Sequence, residues 1–410
     1  MPETTIELSG QQQKAMELAT QWYTAKEKKQ IFRLFGYAGT GKTTITKTII
    51  KKLALITPGL VVGFGAYTGK AALVMKKQGL PAQTLHSLIY KVVPPNAQEC
   101  ERLYKLVKEG KEEYRTKLQE AQKVRFTLNT ESDLFNMDLL VLDECSMVNE
   151  ELLTDLLSFK VPILVLGDPG QLPPIEGAGA LLKESPDITL TEIHRQSADS
   201  PIIGFATRAR IGSSLPFSKV GAAQHFEVCS FYDLKPYLTG EWQVLTGKNT
   251  TRRKLNKLIR PGKTPYPEVG ERLICLRNDR DVGLYNGLMV EVTKVGEIYD
   301  NFIDLEIQSE LEDSKPQLVR ALRAYFDEYL SEGVLKDVKW WQRKDTQEFD
   351  FGYAITVHKA QGSQWDKVVL ADDNFYAWEK SMRKLWLYTA ITRAAEELVV
   401  IKGVKNATLG

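Results

Sequence analysis

One stretch, Gly36-Tyr37-Ala38-Gly39-Thr40-Gly41-Lys42-Thr43, restricts the folds open to this chain more than any other. It reads as a glycine, four free positions, Gly-Lys and a hydroxyl residue, the pattern of a phosphate-binding loop. Such a loop works between a buried strand and the start of a helix, and both flanks are present. Ile31 to Phe35 is an apolar run that reads as the strand, and Ile45, Ile49 and Leu53 recur at helical spacing. Glycines let the backbone wrap a polyphosphate closely, and a helix start offers unpaired N–H groups. Lys42 is suited to reach the β- and γ-phosphates and Thr43 to ligate Mg2+. Gly36, Gly39, Thr40, Gly41, Lys42, Thr43 and Thr44 are therefore the expected contacts of a nucleoside triphosphate.

A chain of 410 residues has room for several domains and a real core. A net charge of +2 leaves any nucleic-acid track to be local. Cys100, Cys145, Cys229 and Cys275 are far apart with no Cys-x-x-Cys pair, which argues against a zinc site or disulfide framework and for a reducing, cytoplasmic setting. The polar start, Met1 to Thr5, has no signal-peptide core. No apolar run approaches the ~20 residues needed to span a bilayer, so no membrane partner is expected.

After the loop, Leu60 to Ala66 reads as a second buried strand that ends in Thr68-Gly69-Lys70, and Thr84-Leu85-His86 follows a short loop. Asn96 to Lys123 is different. It holds seven Lys or Arg and six Asp or Glu around a thin stripe of Leu103, Val107, Tyr114 and Leu118. This predicts an exposed helix or helical pair, broken near Gly110, and Val124 to Leu128 reads as a strand leaving it. It is either a solvated arm or a device pressed against a substrate.

Asp138 to Glu144 is an apolar strand ending in two acids. In a phosphate-loop enzyme the first, Asp143, holds the water shell of Mg2+ and the second, Glu144, activates the attacking water. Val161 to Leu166 is a further strand running into Gly167-Asp168-Pro169-Gly170-Gln171-Leu172-Pro173-Pro174. Gln171 is either a γ-phosphate sensor or a turn amide bonding its own loop. Four apolar strands with helices between them predict a parallel sheet with ligands at its carboxyl ends.

The second half begins near Thr191-Glu192-Ile193-His194-Arg195. Glu241 to Gly247 reads as a strand, followed by a helix carrying Asn249, Arg252, Arg253 and Asn256. From Pro261 to Gln342 short β runs alternate with turns, including runs that flank Asn286-Gly287 and one at Phe302 to Ile307. A helix is expected near Leu318 to Leu330, and the segment as a whole reads as a small inserted β-barrel. The α/β pattern returns at Thr356-Val357-His358-Lys359-Ala360-Gln361-Gly362, and Leu385 to Ala394 reads as a helix ending at Arg393. His358 is open to reading as a turn histidine, and Arg393 as a surface cation. This half has no second phosphate loop and is not an independent ATPase.

Taken in order, Gly167 to Pro174, Thr356 to Gly362 and Tyr388 to Arg393 resemble the signatures of superfamily 1B DNA helicases, the Dda- and RecD-like family. The resemblance implies an α/β architecture of two RecA-like parallel-sheet motor domains, at residues 1–190 and at 191–261 with 346–410. The first would carry an inserted arm or pin at 90–131, the second an SH3-like β-barrel at 262–345. It also implies that Gln12, with Gln11 and Gln13 leaving the register open by one, reads adenine, and that Gln364 approaches the ribose. Arg195 and Arg393 would reach the γ-phosphate from the second half, which agrees with the preference of a transferred phosphoryl group for rigid bidentate cations. Thr68, Lys70, His86, Thr356 and His358, with Asn249 and Arg253, would grip a single strand.

The expected activity is an ATP- and Mg2+-dependent helicase on single-stranded and forked duplex DNA, moving 5′ to 3′ by resemblance alone. It would act as a monomer in a bacterial or phage-infected cytosol, with a single-strand-binding or replication protein as a further partner. The alternatives are a single-strand translocase that strips proteins, and an RNA helicase.

Overall fold

The computed structural model describes residues 8–77, 79–93, 96–121, 125–173, 179–193, 200–227, 235–262, 264–279, 282–310, 314–327, 343, 346–376 and 379–403. The first half is built on β1 (Ile31–Gly36), β2 (Val62–Ala66), β3 (Ala82–Thr84), β6 (Leu139–Asp143), β7 (Ile163–Gly167) and β8 (Ile188–Leu190). They form one sheet in the order β3-β2-β6-β7-β1-β8, parallel throughout. Strands covered on both faces read as near-continuous apolar runs, and β1 and β7 are buried along their whole lengths; the exception in β1 is Arg33, whose buried guanidinium pairs with Glu184 at 2.7 Å. Phe32 and Leu34 pack with Ile45, Ile49 and Leu53 on one face; Ile31 and Phe35 pack with Leu152 and Leu156 on the other. The central trio β6, β7 and β1 brings Asp143, Gly167 and Gly36 to a single carboxyl edge, where a parallel α/β sheet binds ligands.

Between β3 and β6 the chain leaves the sheet. β4 (Tyr90–Val93) and β5 (Arg125–Leu128) form an antiparallel ribbon, with Tyr90 opposite Leu128. The helices Ala97–Lys108 and Arg115–Ala121 lie between these strands in sequence. They are separated at Gly110, whose φ of 88° only glycine adopts without strain. Cys100, Leu103 and Leu118 are the buried stripe of this pair.

The second half has a sheet in the order β17-β11-β18-β19-β10-β9, comprising β9 (Ser218–Val220), β10 (Ala223–Glu227), β11 (Gln243–Thr246), β17 (Ala354–Thr356), β18 (Trp365–Asp372) and β19 (Ala394–Lys402). All pairings are parallel except the edge strand β9. The helices Pro201–Ile211 and Lys380–Ile391 pack together over one face, with Trp386 fully buried.

A five-stranded antiparallel sheet interrupts this half in the order β15-β14-β13-β12-β16, from β12 (Arg272–Cys275), β13 (Met289–Ile298), β14 (Phe302–Ser309), β15 (Gln317–Leu322) and β16 (Phe349–Phe351). An isolated bridge from Ala321 to Gln347 joins its edges. At its root, Arg260 donates two parallel hydrogen bonds of 2.8 Å to Glu271, which is fully buried, and stacks on Phe351. The helix expected at Leu318 to Leu330 is instead β15 followed by a short helix, Ala324–Asp327; residues 328–330 lie outside those described. The reason is period: Val319 and Ala321 point inward while Leu318 and Arg320 point out, the alternation of a strand. Among the described residues no helix is long and apolar enough to cross a membrane.

Candidate nucleotide site and nucleic-acid interface

The phosphate loop is shaped by its glycines. Gly39 and Gly41 have φ of 80° and 76°, and a Cβ at Gly36 would lie 2.6 Å from the Thr40 hydroxyl. The loop delivers Lys42 to the first position of helix Lys42–Ile56, where backbone N–H groups have no intrahelical partner. The Lys42 ammonium donates to the carbonyls of Gly36 (2.7 Å) and Tyr37 (3.2 Å), which keeps it inside the loop. Thr43 is exposed on the same turn, and Thr44 is half-buried beside it.

Of the three neighbouring glutamines, Gln12 is the one that bonds to the phosphate loop. Ser9 caps helix Gly10–Thr24, and the Gln12 side chain closes the capping box by accepting from Ser9 N–H at 3.1 Å. Its amide nitrogen donates to the Thr40 carbonyl at 3.2 Å, so Gln12 is tied to the phosphate loop. Gln11 turns elsewhere and accepts from the N–H groups of Thr191 (2.8 Å) and Glu192 (3.1 Å). Gln13 donates to the Leu8 carbonyl at 3.3 Å.

Thr43, Asp143 and Glu144 line one cavity with Gly362 of the second half. A single hydroxyl and a single carboxylate suit Mg2+, which keeps several of its waters. Asp143 accepts the Glu144 N–H at 2.8 Å, and Glu144 itself sits in the left-handed region at φ 54°. Such a conformation costs energy in a non-glycine residue and is often found at functional sites. Burial raises the Glu144 carboxyl above its ordinary range, Arg393 and Lys42 pull it back down, and Asp143 and Asp168 push it up. Burial likewise raises Asp143 against its Glu144 hydrogen bond and Lys42. The field of Arg393 therefore reaches the carboxylate of the other half.

Arg393 is 6% exposed and lies just beyond helix Lys380–Ile391, held by the carbonyls of Thr389 and Ser363, each at 3.1 Å. Its guanidinium is fixed rather than waving at the surface. Gln171 is 7% exposed, and its Oε1 has no hydrogen-bond partner among the described residues, so it is not a turn amide bonding its own loop through that oxygen. Gln364 is exposed at the start of β18. Arg195, expected as the second arginine, lies outside the described residues.

The expected strand contacts, Arg253 apart, fall into three places. Asn249, Thr356 and His358 line one open groove of about 410 Å³, together with Lys248, Thr250, Phe375 and Tyr376. His358 meets Phe375 and Tyr376 edge-on, and burial lowers its pKa. His86 lies at the root of the ribbon among Tyr67, Tyr90 and the exposed Phe126. Thr68 and Lys70 lie where the halves meet: Gly362 approaches the Thr68 hydroxyl, and Lys70 sits over the Trp365 ring at 4.7 Å. Burial lowers Lys70 to about 8, opposed by Glu310 and assisted by Arg272. Arg253 sits one turn into helix Asn249–Ile259, outside the groove lining.

The sequence reading missed the contacts that lock the halves together. The Tyr388 hydroxyl accepts from Ala38 N–H at 2.8 Å in the phosphate loop and donates to Asp168. Arg210 of helix Pro201–Ile211 stacks on Tyr37 at 3.9 Å. Phe375, Tyr376 and Phe126 were also missed; their only signal was an aromatic residue close to a predicted histidine in the fold, which is not visible in linear spacing.

Residues 7–224 match a family described as an AAA domain, and residues 351–401 match one described as a UvrD-like helicase C-terminal domain. The chain is 26% identical to the ATP-dependent RecD2 DNA helicase of Deinococcus radiodurans over 396 residues, which are 88% of this chain and 46% of that protein. It is 33% identical to the ATP-dependent DNA helicase Dda of phage T4 over 199 residues, 46% of this chain and 39% of that one. The matches thus span less than half the length of these curated relatives. In fold it is similar to Bacteroides Pif1 bound to single-stranded DNA, with a TM-score of 0.54 at 19% identity over 99% of this chain and 95% of that one.

Proposed function

We propose, because this chain belongs to the AAA-domain family and resembles the superfamily 1B helicases RecD2 and Dda, that it is an ATP-dependent DNA helicase that moves along single-stranded DNA and opens duplexes. The observation that carries the reading is a site built across the cleft: Gly362 of the second half lines the cavity of Thr43, Asp143 and Glu144, and Tyr388 of the second half accepts from Ala38 N–H in the phosphate loop. A site completed only when two halves meet is suited to a motor, because the ligand between them favours closure and its loss favours opening.

ATP is gripped by the phosphate loop and Lys42, with Gln12 beside the loop for the base and exposed Gln364 for the ribose. Glu144 orients and deprotonates the attacking water, Gln171 lies beside the reacting phosphate, and Arg393 balances the developing charge with Arg195 as its partner. Thr43 and Asp143 would hold Mg2+, which would supply positive charge against the phosphates.

The single strand lies across the groove of Lys248, Asn249, Thr356 and His358, which Phe375 and Tyr376 also line, and across the His86 cluster on the first half. Backbone contacts and stacking serve a motor that must ignore sequence. Lys70 and Thr68 act at the seam between those two grips, with Arg253 flanking it. The ribbon and its helices form the strand-separating arm, and the five-stranded sheet is the SH3-like barrel. Resemblance supports 5′ to 3′ travel by a monomer. The test is strand displacement on 5′-tailed and 3′-tailed duplexes, in DNA and RNA. The reading predicts ATP-dependent separation of the 5′-tailed DNA; hydrolysis without separation of any duplex would favour a translocase instead.

A further inference from the structure

Three side chains of the second half hold one short segment of the first, Asp168 to Leu172, which includes Gln171. Tyr388 donates to Asp168 at 2.7 Å, the Thr389 hydroxyl accepts from Leu172 N–H at 2.8 Å, and the Gln361 amide nitrogen donates to the Leu172 carbonyl at 2.7 Å. Both backbone polar groups of Leu172 are thus fixed from across the cleft, directly after Gln171, the amide proposed above to lie beside the reacting phosphate.

The three holders differ in what else they are joined to. Tyr388 and Thr389 sit on helix Lys380–Ile391. Gln361 closes the turn that also carries Thr356 and His358 at its other end. That turn is wound tightly: Ala360 N–H donates to the Thr356 carbonyl at 3.0 Å, and Gln361 N–H donates to the His358 carbonyl at 3.4 Å. A displacement at Thr356 and His358 is therefore carried to Gln361. Gln361 is 7% exposed and its Oε1 has no partner among the described residues. A buried amide left half-satisfied is costly, so its retention calls for a reason other than packing. The one bond it makes through its side chain, to Leu172, supplies that reason.

We propose that Gln361 is the positioning residue through which a bound single strand switches on ATP hydrolysis. A strand seated against Thr356 and His358 fixes the turn, the turn fixes Leu172 through Gln361, and Leu172 fixes Gln171 for the reacting phosphate. This rests on the helicase reading above. The coupling belongs to one hydrogen-bond donor, not to the bulk of the side chain.

The test is steady-state ATP hydrolysis by the full chain against increasing oligothymidylate, for the wild type, Gln361→Met, Gln361→Glu and Gln361→Lys. Met and Glu approximate the size but lack the donor; Lys keeps one. Maximal stimulation by the strand falls about tenfold or more in Q361M and Q361E, the size of a typical inter-site coupling. Basal hydrolysis and nucleotide-free strand affinity stay at wild-type values, which a merely structural lesion would not allow, and Q361K recovers stimulation. Full stimulation of Q361M, or failure of Q361K alongside it, overturns the inference while leaving the helicase reading intact. A wild type that no strand stimulates overturns both.

Discussion

Tyr388 in the second half donates its hydroxyl proton to Asp168 in the first, at 2.7 Å, while accepting the Ala38 N–H of the phosphate loop. One oxygen thus ties the nucleotide loop and the loop before Gln171 to the helix that leads into Arg393. The ring fits because residue 170 is glycine: a Cβ there would stand 2.8 Å from Tyr388 Cε1. A hydrogen bond to a buried charged group contributes about 1.5–3 kcal/mol. Tyr388→Phe, which keeps the ring, is expected to lower stability by about 2 kcal/mol in denaturant unfolding. An unchanged midpoint would show that the contact contributes nothing.

In the proposed reading Glu144 takes a proton from water and Lys42 holds the phosphates. Glu144→Gln is expected to cut ATP turnover by about 10²–10⁴-fold, the range for loss of a general base, while nucleotide binding survives. Lys42→Ala is expected to lose binding as well. A fluorescent nucleotide analogue distinguishes the two, and E144Q turning over at the wild-type rate would remove Glu144 from the chemistry.

Much of this site was legible in linear order, because a strand, a loop and a helix start must adjoin for a phosphate loop to work. The placement of Lys42 and Thr43 at the helix start follows from that rule, and that of Asp143 from an apolar strand ending in acids; that Gln12 rather than Gln11 or Gln13 bonds the loop was not legible. The contacts between halves were not legible. Tyr388 and Ala38 are joined only by the packing of two sheets, and nothing local in either segment signals the other. Leu318 to Leu322 was misread because its apolar residues suit either period, and only burial of Val319 and Ala321 on one face decides for a strand. Lys70 was assigned to the strand path by resemblance; its contact with Trp365, far away in sequence, was not legible.

His358 gives a pH test of the groove. Burial holds its pKa below the ordinary 6.5, so it is neutral at pH 7. A phosphate favours the charged form, so binding takes up a proton and strand affinity rises as pH falls below that value. Fluorescence anisotropy with a short oligonucleotide should show this rise, and His358→Ala should flatten it. An equal rise in the variant would place the titrating group elsewhere.

Lys70 gives the opposite slope. Its folded pKa of about 8 lies below the ordinary 10.5, so between those values the unfolded chain holds a proton that the folded chain has released. Stability from this group therefore increases with pH across that window. Urea unfolding at pH 8 and 10 should show a smaller gain, or a larger loss, for Lys70→Met than for the wild type. Parallel shifts in the two proteins would mean that Lys70 is not buried at the seam.

The claim on which the rest depends is that one nucleotide is shared between two halves, with Arg393 supplied from the second. The most direct measurement is ATP turnover by Arg393→Ala at saturating single-stranded DNA, with ATP binding measured alongside. Loss of a charge-balancing arginine predicts a fall of about 10³-fold or more in turnover, with nucleotide still bound by the first half. Turnover at the wild-type rate would mean that the first half hydrolyses ATP alone and that the cleft is not the engine.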